Sequence, residues 1–176
     1  AWTADGGVVQ WIEVASMKGA GHIVVTGRLG DVMRESADIA YSWARANALE
    51  LGFREETVEN LDLHVHAPEG GVRKDGPSAG VALVTAIVSV FTRRRVRSDV
   101  AMTGELTLRG HILEVEGIRE KVSAAHRAGI REILLPAGNR KDVEALSTDL
   151  RRDTTFRFLD TIQEFLAASL LPGPAA

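Results

Sequence analysis

Cysteine is absent from the 176 residues, so the chain contains no thiol nucleophile, no disulfide and no thiolate metal site. The absence fits a reducing compartment, and no charged, apolar leader is visible at the first residues, so we expect a cytoplasmic protein. The longest apolar run, residues 79–91, is too short to cross a bilayer. A formal net charge of −3 gives no electrostatic reason to expect nucleic acid. We therefore expect neither a membrane nor a nucleic acid as partner.

Three familiar motifs are also absent. The chain has no Gly-x-Ser-x-Gly turn, which excludes the nucleophile elbow of the α/β-hydrolases. Position 81 is valine, so no lysine follows Ser78 by three residues, as it does in penicillin-binding proteins. No Gly-x-x-x-x-Gly-Lys-Ser/Thr loop occurs, so we expect no cofactor in this domain, and any ATP use would belong to a segment outside this chain.

Composition and patterning predict one α+β domain. Hydrophobic residues make up 45% of the chain and charged residues 26%, as in ordinary globular proteins. In the first half, residues 8–17 and 22–28 have the pattern of a strand hairpin, residues 31–51 have helical spacing, and residues 61–66 alternate apolar and polar side chains. Helices and strands alternate from residue 77 onward. We predict a mixed β-sheet with hairpins in the N-terminal half and helices packed on it, spanning residues 1–172 with a tail at 173–176.

Ser78 is the first candidate for chemistry. It falls in the first turn of a predicted buried helix, after Gly76 and Pro77. The backbone N–H groups of such a turn have no partner within the helix, and the helix dipole favours negative charge there. A serine at this point therefore has a site for an oxyanion beside it, although serine is also common at helix starts for structural reasons alone.

Lys121 is the lysine best placed to act as a base. It lies on a predicted helix that also carries Val122, Ala125 and Ala128. An apolar surrounding destabilises the charged form of a lysine, so its pKa falls and its amine can accept a proton near neutral pH. An exposed helix lysine is the alternative interpretation.

Several segments together resemble the proteolytic domain of Lon proteases. Residues 74–80, Lys-Asp-Gly-Pro-Ser-Ala-Gly, match the stretch around the Lon nucleophile without a change, and residues 120–130 match the helix that carries the Lon base lysine 43 positions later. Four further stretches match in order: residues 1–3, 26–33, 64–66 and 101–105. The resemblance covers nearly the whole chain.

The resemblance implies a serine endopeptidase with a Ser–Lys catalytic dyad that hydrolyses unfolded or damaged protein and assembles as a hexameric ring for protein quality control. Ser78 would attack the scissile carbonyl, Lys121 would take its proton, and Thr103 would hydrogen-bond the lysine amine and aim it. Asp75, His64 and His66 occupy matching positions and would support the site. The predicted strand formed by Asp99, Val100, Ala101 and Met102 would pair with an extended substrate backbone. No metal site is implied.

The sequence departs from the Lon pattern just before the lysine helix. Lon proteases commonly have Pro and Gly-Gly there, where this chain has Glu114, Glu116 and Gly117, and Arg119 replaces the first lysine of Lys-Glu-Lys. A carboxylate from Glu116 near Lys121 would raise the pKa of the lysine. We expect a divergent branch of the family.

Two other functions stay open from the sequence. Domains of this kind also serve as non-catalytic assembly platforms, and a glycine-rich turn that begins a helix can bind phosphate. The first is disfavoured because Ser78, Lys121 and Thr103 are all present, and the second because no ATP-binding motif occurs.

Overall fold

A computed structural model describes residues 1–3, 6–68 and 74–173 of the chain. A short antiparallel hairpin at the beginning, β1 (Trp2–Thr3) and β2 (Gly6–Gly7), is followed by a three-stranded sheet. The sheet contains β3 (Glu13–Lys18), β4 (Ile23–Thr26) and β5 (Leu61–His66), in the order β3-β5-β4. β5 pairs antiparallel with β3 and parallel with β4. The predicted strands are present, but the predicted hairpin between the first two is wrong, because β5 lies between them.

The helical pattern of residues 31–51 divides into two helices, α1 (Asp31–Ala46) and α2 (Ala48–Leu51). The break falls at Asn47, whose side-chain Nδ2 donates to the Trp43 carbonyl oxygen. Asparagine side chains compete in this way with the backbone ladder, which favours a helix end. Gly52 ends α2 with a φ of 88°, as its position predicts. A short helix that the pattern did not predict, α3 (Glu55–Glu59), leads into β5.

The predicted buried helix after Pro77 has two parts. A 3₁₀ turn, Pro77–Ala79, continues directly into α4 (Gly80–Thr92). α4 packs against α1, and its buried side chains are apolar apart from Thr85. This helix is therefore the centre of the first half of the domain, and it begins at the Ser78 turn.

The second half contains a parallel sheet and a hairpin. β6 (Val100–Met102), β9 (Glu132–Pro136) and β10 (Thr155–Leu159) form the sheet in the order β10-β9-β6, and β7 (Glu105–Leu106) pairs antiparallel with β8 (Ile112–Leu113). The helices here are α5 (Ile118–Arg127), α6 (Arg140–Glu144), α7 (Thr148–Arg152) and α8 (Ile162–Ser169). A second 3₁₀ turn, Ala137–Asn139, precedes α6.

Two apolar clusters form most of the core. The larger joins α1, α4, α8 and β5, and the smaller joins α5, β9 and α6 around Val122, Ile133 and Leu135. The mixed architecture confirms the predicted α+β class. Within the described part of the chain, every helix is too short or too polar to cross a membrane.

Candidate active site

The Ser78 turn is fixed to the segment that follows β6. The Ser78 carbonyl oxygen accepts from the Gly104 backbone N–H at 3.0 Å and from the Thr103 hydroxyl at 3.1 Å. Val81 in turn donates its N–H to the Gly104 carbonyl oxygen at 3.2 Å. Gly80 is needed for this close packing, since a Cβ there would lie 2.8 Å from the Leu106 nitrogen. The backbone of the candidate nucleophile is therefore held in place by neighbours on a different element.

Asp75 joins the same turn to the start of α1. Its Oδ1 accepts from the Met33 N–H at 3.1 Å and from the Gly76 N–H at 2.9 Å. The residue before α1 is Gly30, which has no side chain to cap the helix, and a Cβ at that position would overlap the Asp75 carboxylate. The Gly30 N–H also donates to the Lys74 carbonyl oxygen at 2.7 Å. Asp75 thus caps α1 from a distant part of the chain and anchors the turn that carries Ser78.

Lys121 lies in the first turns of α5. Its Nζ is buried and makes no hydrogen bond among the described residues. Burial lowers the pKa of Lys121 to about 8, and the carboxylate of Glu116 acts in the opposite direction. The sequence predicted that Glu116 would raise the pKa of Lys121. Glu116 does so, but desolvation, which lowers this pKa, is the larger effect. The amine is suited to accept a proton in mildly alkaline solution.

Ser78 and Lys121 line the same cavity, which has a volume of about 420 Å³. The two residues come from different elements and from positions 43 residues apart in the sequence. Asp75, Glu105, Glu114 and Glu116 also line it, as does Ala1. The candidate nucleophile and base are thus together in a site whose other ionisable side chains are acidic.

Thr103 does not make the contact that the resemblance implied. Its hydroxyl donates to the Ser78 carbonyl oxygen, and the Lys121 amine has no hydrogen-bond partner among the described residues. Thr103 is itself buried at the end of β6. The expected Thr103–Lys121 bond is therefore corrected to a bond between Thr103 and the backbone of the Ser78 turn.

The two candidate histidines lie on β5, and neither is among the described residues that line the cavity. The Thr26 hydroxyl is 2.8 Å from Nε2 of His64 and 2.7 Å from Nδ1 of His66. Both rings are thus held by one side chain on the neighbouring strand β4. This arrangement favours a structural role for both histidines in the three-stranded sheet.

The predicted substrate-binding strand is found as β6, an edge strand of the parallel sheet. Val100, Ala101 and Met102 pair with β9 on one side, and no strand of the described residues pairs with the other side. Asp99 precedes the strand, and its carboxylate is bound by the Arg97 guanidinium at 2.7 and 3.0 Å. That contact lowers the pKa of Asp99. One edge of residues 100–102 thus has no strand partner among the described residues, and the Asp99 side chain is bound by Arg97.

Sequence reasoning missed one residue near the site. Asn139 is buried with 1% exposure, and its side chain hydrogen-bonds both backbone groups of Val115, which lines the cavity. An asparagine before a short helix is typical of an N-cap. Nothing in the sequence signals a contact with a loop 24 residues away.

Among the described residues, no group of three or more His, Cys, Asp and Glu side chains is arranged to hold a metal ion.

Comparison with known proteins identifies the family. Residues 1–172 match the model of the Lon protease (S16) C-terminal proteolytic domain. A Lon protease of Desulforamulus reducens is 53% identical over 171 residues, which cover 97% of this chain and 21% of the relative. Lon protease 4 of Sorangium cellulosum is 49% identical over 174 residues, covering 99% of this chain and 22% of the relative. The mouse protein named Lon protease homolog 2, peroxisomal, is 48% identical over 178 residues, covering 98% of this chain and 21% of the relative.

The chain therefore spans about a fifth of the length of the curated relatives that it matches. The matched part of each relative includes the segment that contains the Ser78 turn and the Lys121 helix, since nearly the whole chain is covered. Both the family model and the relatives agree with the resemblance seen in the motifs. The chain belongs to the Lon protease (S16) C-terminal proteolytic domain family.

Proposed function

We propose that this domain is a serine endopeptidase in which Ser78 is the nucleophile and Lys121 is the general base. The observation that carries the proposal is the shared cavity: Ser78 lines it together with a buried lysine whose amine has no hydrogen-bond partner among the described residues. An unbonded buried amine favours its neutral form, and a neutral amine beside a serine hydroxyl can activate it.

The chemistry needs only these two side chains and backbone donors. Lys121 Nζ takes the proton of the Ser78 hydroxyl as Oγ attacks the scissile carbonyl carbon. The carbonyl oxygen becomes an oxyanion, for which the N–H groups of the first helical turn, at Ser78 and Ala79, are suitable donors. The lysine ammonium then gives its proton to the leaving nitrogen, the C–N bond breaks and an acyl-enzyme remains. A water molecule, deprotonated by Lys121, attacks the ester carbonyl carbon; the bond from that carbon to Oγ then breaks, Lys121 returns the proton to Oγ, and the carboxylic acid product leaves.

We propose unfolded or damaged proteins as substrates. The open edge of β6 supports this, since an extended segment can pair with the backbone of residues 100–102, whereas a folded protein seldom offers a free strand. β6 leads directly to Thr103, which binds the Ser78 carbonyl, so a paired substrate would pass near the nucleophile. The non-catalytic platform remains disfavoured, because a platform gives no reason to bury an unbonded lysine amine on the cavity that Ser78 lines.

The assembly state is proposed from the family, and the compartment from the composition of the chain. We propose a hexameric ring working in protein quality control, because an unenclosed peptidase site would endanger neighbouring proteins; light scattering over a concentration series measures the assembly directly. We propose the cytoplasm as compartment, on the absence of cysteine. The name of the mouse relative assigns that protein to the peroxisome. No cofactor is proposed for this domain, and any ATP use is assigned to a module outside this chain.

The pH dependence of peptide hydrolysis tests the proposed base. Because the pKa of Lys121 is lowered to about 8, its neutral fraction rises about tenfold per pH unit below that value and levels off above it. We expect kcat/KM for a fluorogenic peptide to rise about 50-fold between pH 6 and pH 8 and to change little above pH 9. A profile that is flat over this range, or that rises with a midpoint near 6.5 as for a histidine, would contradict the lysine assignment.

Substitution of Thr103 tests how the Ser78 turn is positioned. Thr103→Val keeps the side-chain shape but removes the hydroxyl that donates to the Ser78 carbonyl. We expect kcat to fall by about 10- to 1000-fold, the loss typical of a displaced catalytic group. His64→Ala and His66→Ala serve as comparisons, and we expect kcat to change by less than about threefold in each, since both rings bond Thr26. A folded but inactive histidine variant alongside a near-normal Thr103→Val would require a Ser–His mechanism.

A further inference from the structure

The loop formed by residues 114–117, here called the 114–117 loop, leads from β8 directly into the helix of the base. Glu114, Val115 and Glu116 all line the cavity that contains Ser78 and Lys121. Gly117 ends the loop with a φ of 71°, and its carbonyl oxygen accepts from the Lys121 backbone N–H at 3.0 Å. The position of this loop therefore affects the shape of the cavity and the placement of the first turn of α5.

The 114–117 loop also lines a second cavity, of about 450 Å³. Glu114, Val115 and Glu116 line this cavity too, together with Asn139 and Asp142. The loop thus contributes to the walls of both cavities. Val115 packs against the smaller apolar cluster, whereas Glu114 and Glu116 are exposed, so the loop is attached to the fold mainly through Val115 and its backbone.

Asn139 provides that attachment through three hydrogen bonds. Its Oδ1 accepts from the Val115 N–H at 3.0 Å, and its Nδ2 donates to the Val115 carbonyl oxygen at 2.9 Å. Nδ2 also donates to Oδ2 of Asp142 at 2.7 Å, which fixes the orientation of the amide. The side chain thus satisfies both backbone groups of Val115, as a neighbouring strand would. The ion pair between Glu114 and Lys141 at 3.1 Å joins exposed side chains and is a weaker attachment.

We propose that Asn139 is a positioning residue for the catalytic base: its amide clamps Val115 and so holds the 114–117 loop as the wall that keeps the Lys121 amine out of water. The inference rests on the proposed Ser–Lys function. Asn139 itself is not among the described residues that line the cavity of Ser78 and Lys121, so it acts only through the loop.

Loss of the hydrogen bonds between Asn139 and Val115 changes two opposing influences on the pKa of Lys121. Water that enters past a loosened loop weakens desolvation and raises the pKa of the lysine, whereas a departing Glu116 removes an attraction and lowers it. Burial is the larger of the two influences, so the net change is a rise. The other ionisable side chains that line the cavity are Asp75, Glu105 and Glu114, and Arg119 and Glu120 lie in the first turn of α5.

The test is the pH profile of Asn139→Ala. We expect the alkaline rise of kcat/KM to move upward by about one pH unit, so that activity at pH 7 falls about tenfold while activity at pH 10 stays near that of the unaltered protein. Hydrogen exchange at the Val115 amide should become faster, which measures the clamp without reference to catalysis. A merely structural role would instead lower activity by the same factor at every pH.

Two further variants keep the test decisive. Asn139→Ser keeps a hydroxyl in the buried site and adds no charge beside Asp142, so it should fold even if Asn139→Ala does not. It should show a smaller upward shift, because the hydroxyl can replace at most part of the bonding to Val115. Asn47→Ala is the matched control, because Asn47 also donates from its side chain to a backbone carbonyl, on α1 and away from the cavity. We expect its profile to be unchanged. If the unaltered protein lacks the rise near pH 8, the Ser–Lys proposal itself fails. If that rise is present and does not move in any folded Asn139 variant, only the positioning role is overturned.

Discussion

Ser78→Ala is expected to lower peptide hydrolysis at least about 10³-fold, to the level of residual binding and oxyanion stabilisation. The reason is that no acyl-enzyme can form without the hydroxyl. The substitution removes a single oxygen, and the bonds that hold the turn use the Ser78 carbonyl, which the variant keeps. The thermal unfolding midpoint should therefore stay within a few degrees of the unaltered value. Hydrolysis of a fluorogenic peptide and circular dichroism measure the two quantities.

Ser89→Ala is the matched control for this experiment. Ser89 lies on α4, the helix that begins at the Ser78 turn, and its hydroxyl donates to the Arg94 carbonyl oxygen. We expect unaltered turnover, with some loss of stability from the missing bond. Substantial hydrolysis by a folded Ser78→Ala protein would remove the serine mechanism.

Lys121→Arg is expected to be inactive, by at least about 10³-fold, at every pH from 6 to 10. A guanidinium stays protonated throughout this range, so the variant has no base even where the unaltered protein is most active. The loss would therefore be largest above pH 8, where the neutral lysine predominates in the unaltered domain. The same peptide assay, repeated across the pH range, gives the result.

Two companion variants separate loss of the base from other effects. Lys121→Met has a similar length and no charge, and we expect it to be equally inactive but well folded, since it removes an unbonded buried amine. Lys18→Arg makes the same change of side chain at the exposed end of β3, where activity should be unaffected. Turnover by Lys121→Arg that still rises with pH would show that a different group is the base.

The sequence predicted the elements of the fold better than their pairing. Alternation along residues 61–66 placed Leu63 and Val65 on the buried face, and both are fully buried in the structure. Alternation does not show which strand lies next to which. A hairpin was expected because β3 and β4 are consecutive in the sequence, but β5 lies between them in the sheet. The break at Asn47 depends on one side-chain bond that helical spacing does not reveal.

The candidate site shows the same division. Ser78 and Lys121 could be singled out because each lies in a short local motif, and the structure places both on one cavity. Thr103 was expected to bond the Lys121 amine, whereas its hydroxyl donates to the Ser78 carbonyl oxygen. The contacts of Asp75 with Met33 and of Asn139 with Val115 link positions 42 and 24 residues apart. Such contacts depend on how the finished elements pack, so no local pattern in the sequence indicates them.

The division of the core into two clusters has a consequence for the newly synthesised chain. Ser78 sits at the start of α4, which belongs to the larger cluster, whereas Lys121 is on α5, which belongs to the smaller one. The two clusters are interleaved along the chain, since the larger one also contains Leu134 of β9 and Phe165 of α8. The nucleophile and the base therefore meet only when both clusters have formed and packed together. We expect a partly folded chain, which is the form most vulnerable to cleavage, to lack peptidase activity.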